Sequence, residues 1–174
     1  MQLTVTNVDK VPGFIHRGAT HVISLLHSRE RDLLFLPKSF KRENWLFLDM
    51  DDVISETADS APKREQVERL LDWVKKLPND AHLVVHCYAG VSRSTAAALA
   101  IKVQELGIDR LPEAIDWLLE ARPQACPNPV ITKHADDLLG AKGKLHASAE
   151  EVANNKLLWL YGGNLNSRTH MREV

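Results

Sequence analysis

The chain has 174 residues with 22 basic and 23 acidic side chains, a net charge of −1 with histidine neutral. That length suits one domain with a core of its own, and the balanced charge argues against a nucleic-acid or membrane-surface protein. Two cysteines, Cys87 and Cys126, do not make a disulfide framework and fit a reducing compartment.

Met1 to Lys10 lacks the basic-then-apolar pattern of a signal peptide, and no apolar run is long enough to span a bilayer. A cytoplasmic protein is therefore expected. Leu3 to Thr6 alternates and reads as a short first strand that Pro12-Gly13 ends. Phe14 to Arg17 suits one helical turn. Gly18 to Leu26 is short, apolar and β-branched, as in a buried strand. His27 to Phe40 has no clear period and is left open as helix or loop. Phe35, Phe40 and Trp45 are candidates for the wall of a cleft. Trp45 to Met50 is the third strand and runs into Asp51-Asp52.

Ser60 to Leu77 is predicted as a helix, with Ser60 as its cap, Pro62 in the first turn, and Val67, Leu70, Leu71, Val74 and Leu77 on one face. A fourth apolar run, Leu83 to Val85, follows the Pro78-Asn79-Asp80 stop. The alanine-rich stretch from Ser94 reads as a helix stopped at Gly107. Pro112 to Arg122 is a further amphipathic helix, with Ala114, Ile115, Leu118 and Leu119 inward. Asn128 caps another, with Pro129 at its first position, running to Leu139. Gly140 to Leu145 is read as a turn. Ser148 and Glu151 form a capping box for a last helix through Tyr161, stopped by Gly162-Gly163. Leu157 to Tyr161 are read as core or a dimer contact, and the oligomeric state is left open. Residues 1–163 form the expected domain, and 164–174 a polar tail. Alternating strands and helices predict an α/β sandwich with its ligand at the carboxyl ends of the strands.

The chemistry concentrates in Leu83-Val-Val-His-Cys-Tyr-Ala-Gly-Val-Ser-Arg-Ser94, a strand that leads through a tight loop into a helix. Such a loop turns backbone N–H groups inward at the positive end of the helix dipole and makes an anion nest. Gly90 permits the positive φ that the curl needs. Arg93 adds a planar fork of donors matching two phosphate oxygens. The same field favours the ionised sulfur of Cys87, the nucleophilic form. Sulfur attack on phosphorus is the chemistry that this pairing implies.

His86-Cys87-x5-Arg93-Ser94 resembles the signature of cysteine-dependent protein tyrosine phosphatases. The form His-Cys-Tyr-Ala-Gly-Val-Ser-Arg-Ser is most similar to the dual-specificity branch and to a group of small bacterial predicted tyrosine phosphatases. The likeness runs from about residue 18 to 140. It takes in Gly18 to Leu26, Ala121 to Asn128 and Asp136 to Gly140. It implies a small mixed, mainly parallel sheet flanked by helices, with the phosphate-binding loop between a central strand and a helix. It also implies a phosphotyrosine-type phosphomonoesterase, dual specificity included, that forms a cysteinyl-phosphate and needs no cofactor or metal. Its expected substrate is a phosphorylated protein or a small phosphate ester.

Expulsion of an alkoxide or phenoxide requires a proton donor on a nearby loop. The family places its acid two positions beyond an apolar residue at a strand end, which selects Asp52 after Met50, with Asp49 and Asp51 as fallbacks. By the same resemblance His86 is a buried, hydrogen-bonded support of the loop. Ser94 donates its hydroxyl to sulfur when sulfur leaves. Tyr88, Ala89, Gly90, Val91 and Ser92 bind phosphate mainly through backbone N–H groups. Arg122 and Asn128 are read as supports of the site wall, Cys126 as a passive loop thiol. His134 and Asp137 are the nearest approach to a metal pair among the histidines, and a weak one. The loop carries no lysine, which counts against a phosphoinositide. Other readings are a binding module for phosphorylated partners without turnover, the same chemistry on a nucleotide or RNA 5′-phosphate, and a rhodanese-type sulfurtransferase. The last needs neither Ser94 nor an upstream acid.

Overall fold

The computed structural model describes residues 1–160. Four strands form one sheet in the order β1-β4-β2-β3: β1 (Gln2–Asn7), β2 (His21–Leu26), β3 (Trp45–Asp49) and β4 (His82–Cys87). Every pairing among the described residues is parallel, so the expected mixed character is not found there. Parallel strands covered on both faces read as continuous apolar runs. Accordingly all six residues of β2 and five of the six in β4 are buried.

Side chains of a strand alternate between faces, and β4 uses the alternation fully. Leu83, Val85 and Cys87 enter the larger core with Ile23 and Leu25 of β2, whereas Val84 joins the smaller core with Val22, Val11 and Phe40. The larger core lies under α2 (Arg64–Val74), α3 (Arg93–Leu106), α4 (Leu111–Ala121), α5 (Pro129–Leu139) and α6 (Lys144–Leu160). The smaller is closed by α1 (Val11–His16) and the segment around Leu36 and Phe40. The central helix is α3. Its alanines Ala96, Ala97, Ala98 and Ala100 are all fully buried, because small side chains let neighbouring helices and the sheet approach closely.

The open stretch 27–40 forms a 3₁₀ turn, Ser28–Leu33, followed by irregular chain. Phe40 is buried in the smaller core and Phe35 is exposed, so these two do not line a common wall. Helix α2 is shorter than the predicted 60–77. Ser60 sits in a turn at φ +58°, its carbonyl accepting from Asp51 N–H, and does not cap the helix. The helix starts later, where Gln66 Oε1 accepts from Lys63 N–H at 2.9 Å.

The last helix begins at Lys144, which places the predicted Ser148 cap inside it. Its start is fixed by Asp136 of α5, whose carboxylate accepts from Gly143 N–H (2.6 Å) and His146 N–H (3.1 Å). A cap supplied by the preceding helix satisfies free N–H groups of this earlier start, and Ser148 has none left to serve. The side chains of Leu157 to Leu160, Tyr161 with its Gly162-Gly163 stop, and the 164–174 tail lie outside the described residues. Among the described residues no helix is long and apolar enough to cross a membrane.

Candidate active site

Cys87 is the last residue of β4 and is 1% exposed. Residues 88–92 curl from it into the N-terminus of α3, which opens at Arg93. The sulfur meets two polar groups. Gly90 N–H donates to Sγ at 3.2 Å, and Ser94 Oγ lies 3.2 Å from it on the first turn of α3.

The curl is held from outside through its carbonyls. Arg122, just past α4, donates from Nε (3.0 Å) and Nη2 (2.8 Å) to Gly90 O, with a longer contact from Nη2 to Ala89 O. Cys126 N–H donates to Val91 O at 2.9 Å, and Asn128 N–H to Ser92 O at 3.4 Å. The Thr95 hydroxyl bonds the Val91 and Ser92 carbonyls. In a trans peptide the N–H points opposite to the C=O. Carbonyls fixed outward at 89–92 therefore turn the N–H groups of 90–93 toward the inside of the curl, as Gly90 N–H on sulfur illustrates. Gly90 has φ +70° and packs hard on β1: a Cβ there would lie 2.6 Å from backbone atoms of Thr6 and Asn7. Tyr88 is half exposed at the rim.

Arg93 is buried, at 3% exposure. Its Nη1 donates to Glu30 Oε2 (3.0 Å) and to Met50 O (3.0 Å), which uses both protons of that nitrogen. Its Nε is buried without a hydrogen-bond partner, 3.7 Å from Asp52 Oδ2. A guanidinium held by one corner, with a buried donor unpaired beside a nest of N–H groups, suits an oxyanion.

The three candidate acids separate in space. Asp49 accepts from Ser28 N–H at 2.7 Å. Asp51 pairs with Arg29 at 2.6 Å. Asp52 reaches the loop: its Oδ1 accepts from Ser92 Oγ (2.6 Å) and from Asn128 Nδ2 (3.0 Å). Asn128 also donates to Val53 O, while its Oδ1 caps α5 through Val130 and Ile131 N–H. One side chain thus ties the Asp52 segment to the helix behind the loop.

His86 points to the opposite face of β4 from Cys87 and is fully buried, its Nε2 2.6 Å from Ser24 Oγ. Burial lowers its pKa to about 4, so the ring is neutral at physiological pH. Cys126 is a free thiol whose pKa is raised, first by burial and then by the charge of Asp52. His134 Nε2 faces Pro62 O at 3.2 Å.

Two residues of this neighbourhood, Glu30 and Ser24, carried no sequence signal. Glu30 sits in a charge run, Ser-Arg-Glu-Arg-Asp, that reads as solvated surface. Ser24 lies in an apolar strand and becomes a partner of His86 only through strand pairing, while Trp45, the cleft-wall candidate, donates to Ser24.

Comparison with known proteins agrees with this geometry. The family model named PTP-like phytase, described as inositol hexakisphosphate, matches residues 54–103, from just after Asp52 through the loop into α3. Human protein phosphatase Slingshot homolog 3 is 32% identical over 110 residues, 63% of this chain and 15% of that protein. A probable dual specificity protein phosphatase of Dictyostelium discoideum is 28% identical over 114 residues, 66% of this chain and 26% of that one. Among solved structures, human tyrosine phosphatase-like serine/threonine/tyrosine-interacting protein superposes with a TM-score of 0.60 at 21% identity, over 79% of this chain and 87% of that one. The chain is similar to the cysteine-dependent protein tyrosine phosphatase superfamily. Its likeness is to the dual-specificity members, and it spans 15% and 26% of the lengths of the two curated relatives. The phosphatase-like sheet and helices are those of the solved members.

Proposed function

We propose that this chain is a phosphomonoesterase acting on phosphotyrosine-type esters, in proteins or small molecules, through a cysteinyl-phosphate intermediate. The observation that carries the proposal is the buried Cys87 sulfur, bonded by Gly90 N–H and Ser94 Oγ inside a curl whose carbonyls are turned outward, with the unpaired Arg93 Nε at its end.

The phosphoryl group sits in the curl, its non-bridging oxygens on the N–H groups of 88–93 and on the free edge of Arg93. Cys87 attacks as the thiolate. An S–P bond forms, the P–O bond to the leaving group breaks, and Asp52 passes its proton to the leaving oxygen. Oδ1 of Asp52 is already engaged by Ser92 and Asn128, so Oδ2 is the oxygen left to carry that proton. In the second step Asp52 takes a proton from water and the water oxygen attacks phosphorus. The S–P bond breaks and the electron pair returns to sulfur, where the Ser94 hydroxyl and Gly90 N–H stabilise it. Inorganic phosphate is released. The loop donors act most strongly as charge builds on the phosphoryl oxygens.

The rim supports an aromatic ester. Tyr88, at the start of the curl, and Ile54, two residues beyond Asp52, expose 54% and 82% of their surface, and residues 88–92 carry no lysine. The match to a family described by inositol hexakisphosphate favours a second reading, an inositol phosphate. Such a ligand needs several free cations around the curl, but Arg122 is already spent on the loop carbonyls.

The test is hydrolysis of para-nitrophenyl phosphate in EDTA by wild type and Cys87→Ser, followed by paired phosphotyrosine and phosphoserine peptides and by inositol hexakisphosphate. Turnover lost in the variant and preference for the phosphotyrosine peptide are expected. Full activity of Cys87→Ser overturns the covalent mechanism. Preference for inositol hexakisphosphate moves the assignment to the second reading. A folded wild type that turns over none of these is a binding module instead.

A further inference from the structure

His86 is joined to two residues outside the reactive loop. On the face of the sheet away from Cys87, Trp45 Nε1 donates to Ser24 Oγ at 2.9 Å, Ser24 Oγ lies 2.6 Å from His86 Nε2, and His86 Nδ1 lies 3.4 Å from Cys87 O. The strands dictate this meeting. Ser24 pairs with His86 across β2 and β4, and Trp45, at the start of β3, pairs with Val22 two residues before Ser24. Ser24 and His86 are both fully buried.

Donor accounting sets every proton in the row. The indole can only donate, so the serine oxygen accepts there. At the far end, the carbonyl of Cys87 can only accept, so Nδ1 must carry the ring proton. An unprotonated Nδ1 would put two lone pairs against each other in a buried site. The ring is neutral, its pKa held at about 4 by burial, so Nε2 bears no proton and accepts from the Ser24 hydroxyl. Each of the three donors then has one acceptor, and each acceptor one donor.

We propose that Ser24 and Trp45 are positioning residues for Cys87: by holding the His86 ring through Nε2 they keep its Nδ1–H on the Cys87 carbonyl and so aim the Tyr88 N–H into the phosphate-binding curl. The 87–88 peptide is the first of the loop, and the anchors described above, from Arg122 to Thr95, reach only the carbonyls of 89–92. Val8 N–H holds the next carbonyl, Tyr88 O, at 3.2 Å, and the side chain that meets the Cys87 carbonyl is His86, itself held by Ser24. No proton is transferred along the row during the reaction. This inference rests on the phosphatase reading for its consequence, but its geometry is independent of turnover.

The test therefore begins without substrate. Imidazole ¹⁵N shifts of His86 in wild type are expected to show the Nδ1–H tautomer, and in Ser24→Ala a mixture of tautomers. Alkylation of Cys87 by iodoacetate is read at pH 6.5 and pH 10. In Ser24→Ala the rate at pH 6.5 is expected to fall about threefold or more while the rate at pH 10 stays near wild type, because a misaimed N–H weakens stabilisation of the anion and not access to it. Ser24→Thr, which keeps the hydroxyl, is expected to recover the wild-type rate. Trp45→Phe removes only the indole N–H and gives a second, milder reading if Ser24→Ala does not fold. A wild-type His86 in the Nε2–H form overturns the inference. So does a folded Ser24→Ala or Trp45→Phe that alters neither tautomer nor alkylation rate. An altered rate at pH 6.5 in a protein that hydrolyses no phosphate ester upholds the row and refutes the phosphatase reading separately.

Discussion

Gly90→Ala probes the seat of the loop more sharply than any removal of a reactive group. Its Cβ would lie 2.6 Å from Thr6 C, Thr6 O and Asn7 N, all of them backbone, and ordinary contact begins at 3.4 Å, so the loop and β1 must part by about 0.8 Å. Asn7 pairs with Cys87, and among the described residues β1 has no other strand neighbour, so that movement strains the end of the β1–β4 ladder beside the thiol. The left-handed φ of +70° adds about 1–2 kcal/mol for a residue with a Cβ. Overpacking adds about 1–3 kcal/mol, so a stability loss of about 2–5 kcal/mol is expected from urea unfolding. A shift near 1 Å at reacting groups lowers turnover by about 100-fold. Gly18→Ala separates the two contributions. Gly18 has φ +97° and no heavy atom within 4 Å of an added Cβ, so only the backbone strain remains and hydrolysis should be unchanged. If Gly90→Ala unfolds no more easily than Gly18→Ala and hydrolyses para-nitrophenyl phosphate at the wild-type rate, the seating of the loop on β1 is wrong.

Glu30→Gln removes the charged acceptor that holds Arg93 Nη1. A hydrogen bond to a charged group contributes about 1.5–3 kcal/mol, so kcat/KM should drop about tenfold and inhibition by vanadate should weaken with it. Unchanged inhibition would mean that Met50 O alone orients the guanidinium. Asp52→Asn should slow phenyl phosphate hydrolysis about 100-fold or more, and slow an ester with an acidic leaving group far less. Asp51→Asn, whose parent pairs with Arg29, should change little, and the opposite pattern would move the acid to Asp51. Burial lowers the His86 pKa from 6.5 to about 4, so the unfolded chain binds more protons than the folded one across that window. Stability contributed by the neutral ring is present above pH 6.5 and lost as pH falls toward 4, by about 3 kcal/mol in all. Urea midpoints for wild type and His86→Asn at pH 7, 5.5 and 4 should converge on acidification, and parallel curves would refute the reasoning.

What could be read from the sequence was local. Cys87, Gly90, Arg93 and Ser94 fall within eight consecutive residues, and strand, curl and helix start follow from their types alone. Asn128 with Pro129 marked the start of α5 for the same reason, since the cap and the N–H groups it serves are two and three residues apart. The failures share one cause. Ser148 had the right partner in sequence, but Asp136 reaches the N–H groups of Gly143 and His146 first, from the neighbouring helix. Ser60 was displaced as a cap because its carbonyl is drawn to Asp51 N–H. Glu30, 63 residues before Arg93, had no local feature separating it from Arg29, Arg31 or Asp32. Ser24 is a small polar residue in a strand until the pairing of β2 with β4 places His86 beside it.

In the proposed reaction each reacting group would be held by bonds that a ligand does not use. The carbonyls of the loop are engaged from outside by Arg122, Cys126, Asn128 and Thr95. Arg93 is held at one corner by Glu30 and Met50 O, Asp52 by Ser92 and Asn128, and the first loop peptide through His86. These anchors come from separate elements, so the donors are aimed before any anion arrives and little reorganisation is left for the reaction itself. One donor is left over. A buried charged N–H without a partner costs about 1–3 kcal/mol or more, and Arg93 Nε is in that position. The nearest carboxylate, Asp52 Oδ2, stays at 3.7 Å, beyond a hydrogen bond, because Oδ1 is fixed by Ser92 and Asn128. Full closure of that pair would satisfy Nε and block the curl with a carboxylate. In the proposed reaction, holding Asp52 slightly off would keep an acid near the leaving group and the donor free, so the unpaired nitrogen follows from the same bonds that hold Asp52.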